Sequence, residues 1–204
     1  MTILGVILAG GQARRLGGGD KALVEVGGRP LLAHAIDRLA PQVSDIVINA
    51  NGELSRFDSF GLPVVADKVA GFAGPLAGVL AGLEWAAANA PDCDRVVTVA
   101  TDAPFFPEDL VARLADAAAS ENADLACAAS GGRNHPVFGL WPVDLRDDLR
   151  CALVEEDIRK VDLWTARHRL VVVPFFVSGV DPFFNINRAE DVVEAAEFFT
   201  NLNA

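Results

Sequence analysis

Short apolar runs alternate with amphipathic segments over the first 125 residues of the chain. The apolar runs cover residues 3–8, 46–49, 64–66 and 96–100, and β-branched residues are frequent in them. Runs of this length and composition predict buried strands rather than helices. Strands that alternate with helices are typical of right-handed βαβ units around a mainly parallel sheet. The pattern therefore predicts an α/β fold.

The segments between these runs have the spacing of amphipathic helices. Behind Pro75, apolar residues recur at positions 76, 79, 80, 83 and 87, and proline is well suited to a first helical turn. Similar spacing predicts helices over residues 31–39 and 107–119. These three helices supply the crossovers that a parallel sheet requires.

The pattern becomes less regular beyond about residue 130. It predicts an extended stretch over residues 135–141, a charged helical stretch over 144–160, a strand over 170–173 and a final helix after Asn187. The sequence contains no repeat, no Ser/Gly-rich linker and no low-complexity block. We therefore predict a single domain over residues 1–204, in which the last part provides the site of a second substrate.

Composition and charge narrow the class of protein. The chain has 204 residues, of which 51% are hydrophobic, and a formal net charge of −11. This length and this hydrophobic fraction exclude disorder over the whole chain. The acidic balance argues against general affinity for nucleic acid or anionic membranes, because both bind basic surfaces. The longest uncharged stretch, residues 69–83, contains four glycines and a proline and is too short to span a membrane.

Cysteine and histidine usage points away from a metal or disulfide scaffold. The three cysteines and three histidines are scattered along the chain and form no CxxC pair. We therefore expect neither a disulfide framework nor a structural zinc site. The first apolar run has no basic leader before it and is too short for a signal peptide. The protein is expected to be cytoplasmic.

A glycine-rich loop follows the first predicted strand. The segment LAGGQARRLGGGDK, residues 8–21, holds five glycines together with Arg14, Arg15 and Lys21. Glycines let backbone N–H groups approach a ligand, and the arginine fork and lysine charge suit phosphate oxygens. The spacing matches neither a P-loop nor a G-x-G-x-x-G motif. The composition therefore predicts a di- or triphosphate site of another kind. The alternative is a flexible glycine-rich loop whose cations are merely exposed to solvent.

Three polar residues follow predicted strands at one edge of the expected sheet. Asp102, Asn49 and Asp67 come at or just after the runs that end near residues 100, 49 and 66. Open α/β sheets bind ligands at the carboxyl ends of their strands. A carboxylate there suits Mg²⁺, a hard cation that prefers carboxylate and phosphate oxygens. Each residue also has a structural interpretation, Asp102 as a helix cap and the other two as turn residues.

The loop motif resembles the signature of molybdenum cofactor guanylyltransferases. Further matches to this family follow in order along nearly the whole chain, at residues 49–51, 67, 74–78, 101–105, 132–136 and 185–187. The loop and the Asp102 motif together are specific to sugar-phosphate and cofactor nucleotidyltransferases, and the Arg14-Arg15 form favours the guanylyl branch. The resemblance implies a Rossmann-like three-layer α/β/α sandwich of the nucleotide-diphospho-sugar transferase type.

The resemblance also implies an activity and residue roles. The implied reaction transfers GMP from GTP to the phosphate of molybdenum-bound molybdopterin and releases pyrophosphate. Asp102 matches the Mg²⁺ ligand, while Arg15 and Lys21 would stabilise charge on the triphosphate and the transition state. Asn185 and Asn187 are candidates for the pterin site, and Asn187 is alternatively the N-cap of the last helix. The positions that match GTP contacts are Leu8, Ala9, Gly10, Lys21, Asn49, Asp67 and Asp102.

Other functions are also compatible with the sequence. An enzyme of the same fold could use CTP on the same pterin, or a nucleoside triphosphate on a sugar phosphate. A non-catalytic GTP-binding module is a further alternative, against which the presence of both Lys21 and Asp102 argues. The sequence leaves open whether Asn49 or Asp67 meets the base. Because such pterins are unstable in water, the resemblance further implies transient contact with molybdenum insertion proteins.

Overall fold

A central sheet of seven strands organises the chain. The structure is a computed structural model that describes residues 2–11, 18–69, 74–177 and 179–202. The described strands are β1 (Thr2–Leu8), β2 (Glu25–Val26), β3 (Arg29–Pro30), β4 (Asp45–Asn49), β5 (Val64–Val65), β6 (Cys93–Ala100), β7 (Leu125–Ser130), β8 (Arg133–Pro142) and β9 (Leu170–Pro174). Strands β2 and β3 form a separate small hairpin, and the other seven form the sheet.

The sheet is mainly parallel, as the sequence predicts. Its strand order is β5-β4-β1-β6-β8-β7-β9. Strand β1 pairs in parallel with β4 and β6, and β4 pairs in parallel with β5. Only β8 among the described strands of the sheet runs antiparallel to its neighbours, β6 and β7. The carboxyl ends of the other six strands therefore lie at one edge.

Helices cover both faces of the sheet. They are α1 (Leu31–Leu39), α2 (Pro75–Asn89), α3 (Leu110–Ser120), α4 (Arg146–Val154), α5 (Val161–Thr165) and α6 (Ala189–Leu202). One hydrophobic core joins the sheet to α1 and α3, and a second core joins it to α2, α4 and α5. The alternation of side chains along a strand produces this division: Ile7 lies in the first core and Val6 in the second. The three-layer α/β/α sandwich is confirmed.

Several predicted elements have different bounds in the structure. The charged helical stretch predicted over residues 144–160 was wrong in its second half, because α4 ends at Val154. Asp157 has a φ of 54°, a left-handed conformation that a helix does not accommodate. The helix predicted from residue 107 begins at Leu110. None of the helices in the described part of the chain is long and apolar enough to cross a membrane.

Candidate active site

The predicted site residues follow four neighbouring strands at the carboxyl edge. Asp67 follows β5, Asn49 ends β4, Gly10 follows β1 and Asp102 follows β6. Three interstrand spacings of about 4.8 Å separate the outer two of these strands, a span of roughly 14 Å. An extended nucleoside triphosphate fits along such an edge, with its base at one end and its phosphates at the other.

Lys21 and Asp102 form an ion pair at the centre of the edge. The Nζ atom of Lys21 lies 2.7 Å from Oδ2 of Asp102 and 2.6 Å from Oδ1 of Asn187. The side chains of Lys21 and Asp102 are 13% and 25% exposed, so the pair is only partly screened by solvent. The structure therefore joins three residues that are far apart in sequence and that were all predicted as site residues.

The backbone of the C-terminal segment is bonded directly to the same place. The Ile186 amide donates to the Asp102 carbonyl over 2.7 Å, which holds Asn187 against Lys21. Helix α6 begins at Ala189, so Arg188 rather than Asn187 occupies the N-cap position. The Asp191 carboxylate accepts from the amides of Asn187 and Arg188. Asn185 is exposed and its amide donates to the Phe183 carbonyl. The structure thus separates the two asparagines, since only Asn187 contacts Lys21.

Asn49, Asn51 and Asp67 form a second group of polar residues, here called the Asp67 cluster. The side-chain amide of Asn49 donates to Oδ1 of Asp67 over 2.9 Å, and that of Asn51 donates to Oδ2 over 2.7 Å. The Asn51 side-chain oxygen accepts from the Asp67 backbone amide. Asn49 is 4% exposed, whereas Asp67 is only partly buried. The two asparagines thus hold the Asp67 carboxylate in place beside the outer strand β5, and each of its oxygens can accept a further hydrogen bond.

Close packing by α2 fixes the position of Asn49. Gly78 lies so near to β4 that an added Cβ atom would be 2.3 Å from Oδ1 of Asn49. Only glycine permits this approach of helix and strand. The predicted match at residues 74–78 therefore has a structural role beneath the Asp67 cluster.

Arg56 borders the candidate site and was not among the residues predicted from the sequence. Its guanidinium donates to Oδ2 of Asp20 over 2.6 Å and to the carbonyls of Asn51 and Glu53. The other carboxylate oxygen of Asp20 accepts from the Ala22 amide, which caps the short turn that carries Lys21. Arg56 thus connects the end of the glycine-rich loop to the Asp67 cluster. Its position in a polar 3₁₀ segment between strands gave no sequence signal.

Ser130, His135 and Asp181 form a third group on the other side of Asp102, here called the Ser130 cluster. The Ser130 hydroxyl donates to Oδ1 of Asp181 over 2.7 Å and accepts from Nε2–H of His135 over 2.8 Å, because the hydroxyl has a single proton. The same Asp181 oxygen accepts from the Phe183 amide, and the His135 ring stacks on Phe183. Burial is the main cause that lowers the pKa of His135 below 6.5. The cluster anchors the segment that leads to Asn187.

The glycine-rich loop is described only at its ends. Arg14 and Arg15 lie in residues 12–17, outside the described residues, so their predicted roles stay predictions. At the first end, the Leu8 carbonyl accepts from the Thr101 amide and the Ala9 amide donates to the Asn49 carbonyl. These groups are engaged within the sheet. Gly10 is exposed, and a Cβ atom added there would meet nothing within 4 Å.

Known proteins match this chain in sequence and in fold. A family model described as a MobA-like NTP transferase domain matches residues 5–169. The molybdenum cofactor guanylyltransferase of Bradyrhizobium sp. is 60% identical over 194 residues, which cover 95% of this chain and 92% of that protein.

Two solved structures superpose on most of the chain. The molybdopterin-guanine dinucleotide biosynthesis protein A of Archaeoglobus fulgidus has a TM-score of 0.76 at 22% identity, over 97% of this chain and 99% of that one. The Rv0371c protein of Mycobacterium tuberculosis, in complex with manganese, has a TM-score of 0.66 at 15% identity, over 97% and 99% of the two chains. These likenesses support the fold, while the family model and the sequence relative identify the enzyme class. The chain belongs to the molybdenum cofactor guanylyltransferases, nucleotidyltransferases with a MobA-like NTP transferase domain.

Proposed function

We propose that this chain binds GTP along the carboxyl edge of the sheet and transfers its GMP moiety to the phosphate of molybdenum-bound molybdopterin. Guanine lies at the Asp67 cluster, the phosphates lie between Gly10 and Lys21, and the pterin lies on the β8 side of Asp102. Pyrophosphate and the guanine dinucleotide cofactor are the products. Relatives named for guanylyl transfer do not favour the cytidylyl and sugar-phosphate alternatives.

The Lys21–Asp102–Asn187 contact is the observation that carries this proposal. It brings a cation, a carboxylate and an amide together between the Asp67 cluster and the Ser130 cluster. Transfer of a nucleotidyl group needs the reacting phosphorus between two substrates, with fixed charges beside it. A group of this composition in this place supports Lys21 and Asp102 as catalytic residues, and the resemblance of the loop sequence adds Arg15 to the proposal.

The Asp67 cluster supports recognition of guanine by Asp67 rather than by Asn49. The Asn49 side-chain oxygen, the atom that could accept from guanine, lies against Gly78 of α2, and the residue is 4% exposed. The side-chain nitrogen of Asn49 donates to Asp67 and to the Val65 carbonyl. Asp67 is more accessible, and each of its oxygens has a lone pair beyond the one used by an asparagine. We therefore assign Asp67 to the N1 and N2 hydrogens of the base and Asn49 to the orientation of Asp67.

The chemistry of Asp102 fits a divalent cation held jointly with substrate. No group of three or more His, Cys, Asp or Glu residues in the described ranges forms a protein-only metal cage. Mg²⁺ prefers one or two carboxylates and completes its shell with phosphate oxygens and water. Asp102 meets this description, and the manganese complex of Rv0371c supports a divalent ion on this fold. When bound, Mg²⁺ would neutralise charge on the phosphate oxygens.

The Ser130 cluster and the segment after it support a pterin site in the last part of the chain. Asn187 already lies beside Lys21, and Asn185 is exposed two residues earlier. His135 lies at the start of β8, the neighbour of β6 in the sheet. We therefore place the pterin near Asn185 and Asn187, in a single domain over residues 1–204 whose first part binds GTP.

The reaction is an in-line displacement at the α-phosphorus of GTP. An oxygen of the pterin phosphate forms the new bond while the bond to the departing pyrophosphate breaks. The attacking phosphate needs no general base near neutral pH, and no covalent intermediate on the enzyme is required. Lys21 places its ammonium group against the triphosphate and exchanges its bond to Asp102 for phosphate oxygens. Positioning and electrostatic stabilisation supply the rate enhancement.

We place this reaction in the cytoplasm. Cys93, Cys127 and Cys151 are all unpaired, which is typical of a reducing compartment. Because the pterin is unstable in water, the proposal includes transient contact with molybdenum insertion proteins that deliver it.

A nucleotide panel tests the proposed function. Purified protein is incubated with Mg²⁺, molybdenum-bound molybdopterin and each of GTP, CTP, ATP and UTP, and pyrophosphate and dinucleotide product are measured. GTP is expected to give both products in equal amounts. A preference for CTP would make the chain a cytidylyltransferase, and GTP binding without pyrophosphate release would make it a non-catalytic module.

A further inference from the structure

We propose that Arg56 is a positioning residue that sets the distance between Lys21 and the Asp67 cluster, and so couples triphosphate binding to guanine selection. Arg56 donates to three groups at once: the Asp20 carboxylate at the end of the glycine-rich loop, and the carbonyls of Asn51 and Glu53 in the segment after β4. No other described side chain bonds both the end of the glycine-rich loop and the segment that holds Asp67. This inference rests on the placement of GTP proposed above.

One end of the connection is the turn that carries Lys21. Asp20 divides its carboxylate between two tasks: Oδ2 accepts from Nε of Arg56 over 2.6 Å, and Oδ1 accepts from the Ala22 amide over 3.0 Å. Lys21 lies between Asp20 and Ala22 in sequence. A change in the position of Asp20 therefore moves the backbone from which the Lys21 side chain extends.

The other end is the backbone of the Asp67 cluster. Nη2 of Arg56 donates to the Asn51 carbonyl over 2.8 Å. Asn51 in turn makes two hydrogen bonds to Asp67, one from its side-chain amide and one to its side-chain oxygen. Arg56 thus reaches the carboxylate assigned to guanine through a single intervening residue.

The chemistry of the arginine side chain is required for this connection. The planar guanidinium offers several N–H groups in a fixed geometry, whereas lysine offers one mobile ammonium group. The guanidinium also lies over the ring of Phe57, 4.4 Å from its centre. Because Phe57 is buried, this contact restricts the position of the guanidinium. The side chains of Arg56 and Asp20 are 27% and 15% exposed, so solvent screens their pairing only in part. The substitution Arg56→Lys keeps the positive charge but cannot donate to Asp20, Asn51 and Glu53 at the same time.

The proposed role of Arg56 predicts an effect on nucleotide specificity, which a purely structural ion pair would not have. Inosine triphosphate differs from GTP by the absence of the 2-amino group, so the ratio of kcat/KM for the two nucleotides reports contact between Asp67 and that group. A correctly held carboxylate discriminates between them, and a displaced one discriminates less. Loss of stability alone lowers the amount of active enzyme without changing this ratio.

The experiment compares Arg56→Lys and Arg56→Gln with a matched control, Arg169→Lys. Arg169 also forms a forked pair with a carboxylate, that of Asp124, but it lies directly before β9, at the edge of the sheet opposite the carboxyl ends of the parallel strands. Steady-state kinetics with GTP and inosine triphosphate are measured for each variant. We expect both Arg56 variants to raise KM for GTP about tenfold, and to reduce the GTP preference about threefold or more, since each loses at least one charge-assisted bond. Arg169→Lys is expected to match the parent chain.

A further variant, Asp67→Asn, distinguishes two claims: that guanine binds at Asp67, and that Arg56 positions Asp67 for this contact. If Asp67→Asn reduces the GTP preference while both Arg56 variants match Arg169→Lys, the placement of guanine stands and the role of Arg56 is refuted. If Asp67→Asn leaves the GTP preference unchanged, the placement of guanine is wrong and the role of Arg56 is refuted with it. If the Arg56 and Asp67 variants both reduce the preference, both claims are supported.

Discussion

Replacement of Gly78 by alanine would insert a methyl group between α2 and the side chain of Asn49. The added Cβ atom would lie 2.3 Å from Oδ1 of Asn49 and 2.8 Å from a methyl group of Leu8. Carbon and oxygen atoms in contact are about 3.3 Å apart, so the Asn49 amide must move by about 1 Å. The site, rather than the helix itself, is therefore expected to respond to this substitution.

The size of the effect follows from the bonds that Asn49 makes. Its amide nitrogen is 2.9 Å from Oδ1 of Asp67, and a shift of about 1 Å takes that contact beyond hydrogen-bonding distance. Loss of one such bond is worth about 0.5–1.5 kcal/mol, which corresponds to a two- to tenfold weaker binding of GTP. Overpacking costs roughly 1–3 kcal/mol of folding stability, and the helix preference of alanine returns about 1 kcal/mol.

Gly82→Ala is the matched control for this prediction. It lies one turn later on the same helix, and its added Cβ atom would be 2.6 Å from a methyl group of Val6 in the hydrophobic core. Both variants are expected to lose similar stability in thermal denaturation. Only Gly78→Ala is expected to bind GTP more weakly in isothermal titration calorimetry. Equal GTP affinity in both variants would refute the role assigned to Asn49.

Three further substitutions test other parts of the site. Lys21→Met is expected to lower kcat by about 10²–10³ in a pyrophosphate-release assay, because it removes a preorganised charge, and a loss below about threefold would exclude Lys21 from catalysis. Ser130→Ala breaks the Ser130 cluster and is expected to raise KM for the pterin more than KM for GTP; equal rises would contradict a pterin site beside it. Burial lowers the pKa of His34 and His135 below 6.5, so the unfolded chain binds more protons than the native one as pH falls below about 6.5. The contribution of these two histidines to the free energy of unfolding should therefore decrease as the pH falls through that range. Thermal denaturation at a series of pH values should show a smaller loss of stability at low pH for His135→Gln than for the parent chain, and an identical pH profile for the two would contradict this.

The fold could be predicted where apolar periodicity and strand propensity agree. Strands β1, β4 and β6 and helices α1 and α2 combine long apolar patterns with β-branched residues or a Pro75 start, and the structure confirms them within a few residues. Strand β7 was missed because its sequence, LACAAS, is rich in small residues with little strand preference. Its two neighbours, β8 and β9, impose the extended conformation by pairing on both sides.

The candidate site could be predicted only in part, for a related reason. Motifs at strand ends identify single residues such as Asp102 and Asp67, because the edge of a parallel sheet collects them. They do not identify partners that come from distant segments. Lys21 and Asp102 are 81 positions apart, and Ser130 and Asp181 are 51 apart. Arg56 and Asp181 have no distinguishing local pattern, and their roles appear only when the segments meet.

The turnover of Asp102→Asn is the measurement that tests the central claim most directly. This variant keeps the shape of the side chain and removes the charge that is assigned to Mg²⁺ and Lys21. With GTP, Mg²⁺ and molybdenum-bound molybdopterin, the parent chain is expected to release pyrophosphate and form the guanine dinucleotide in equal amounts. The variant is expected to be slower by about 10² or more while it keeps its fold by circular dichroism. Dinucleotide formation within twofold of the parent rate would contradict the placement of catalysis at Asp102.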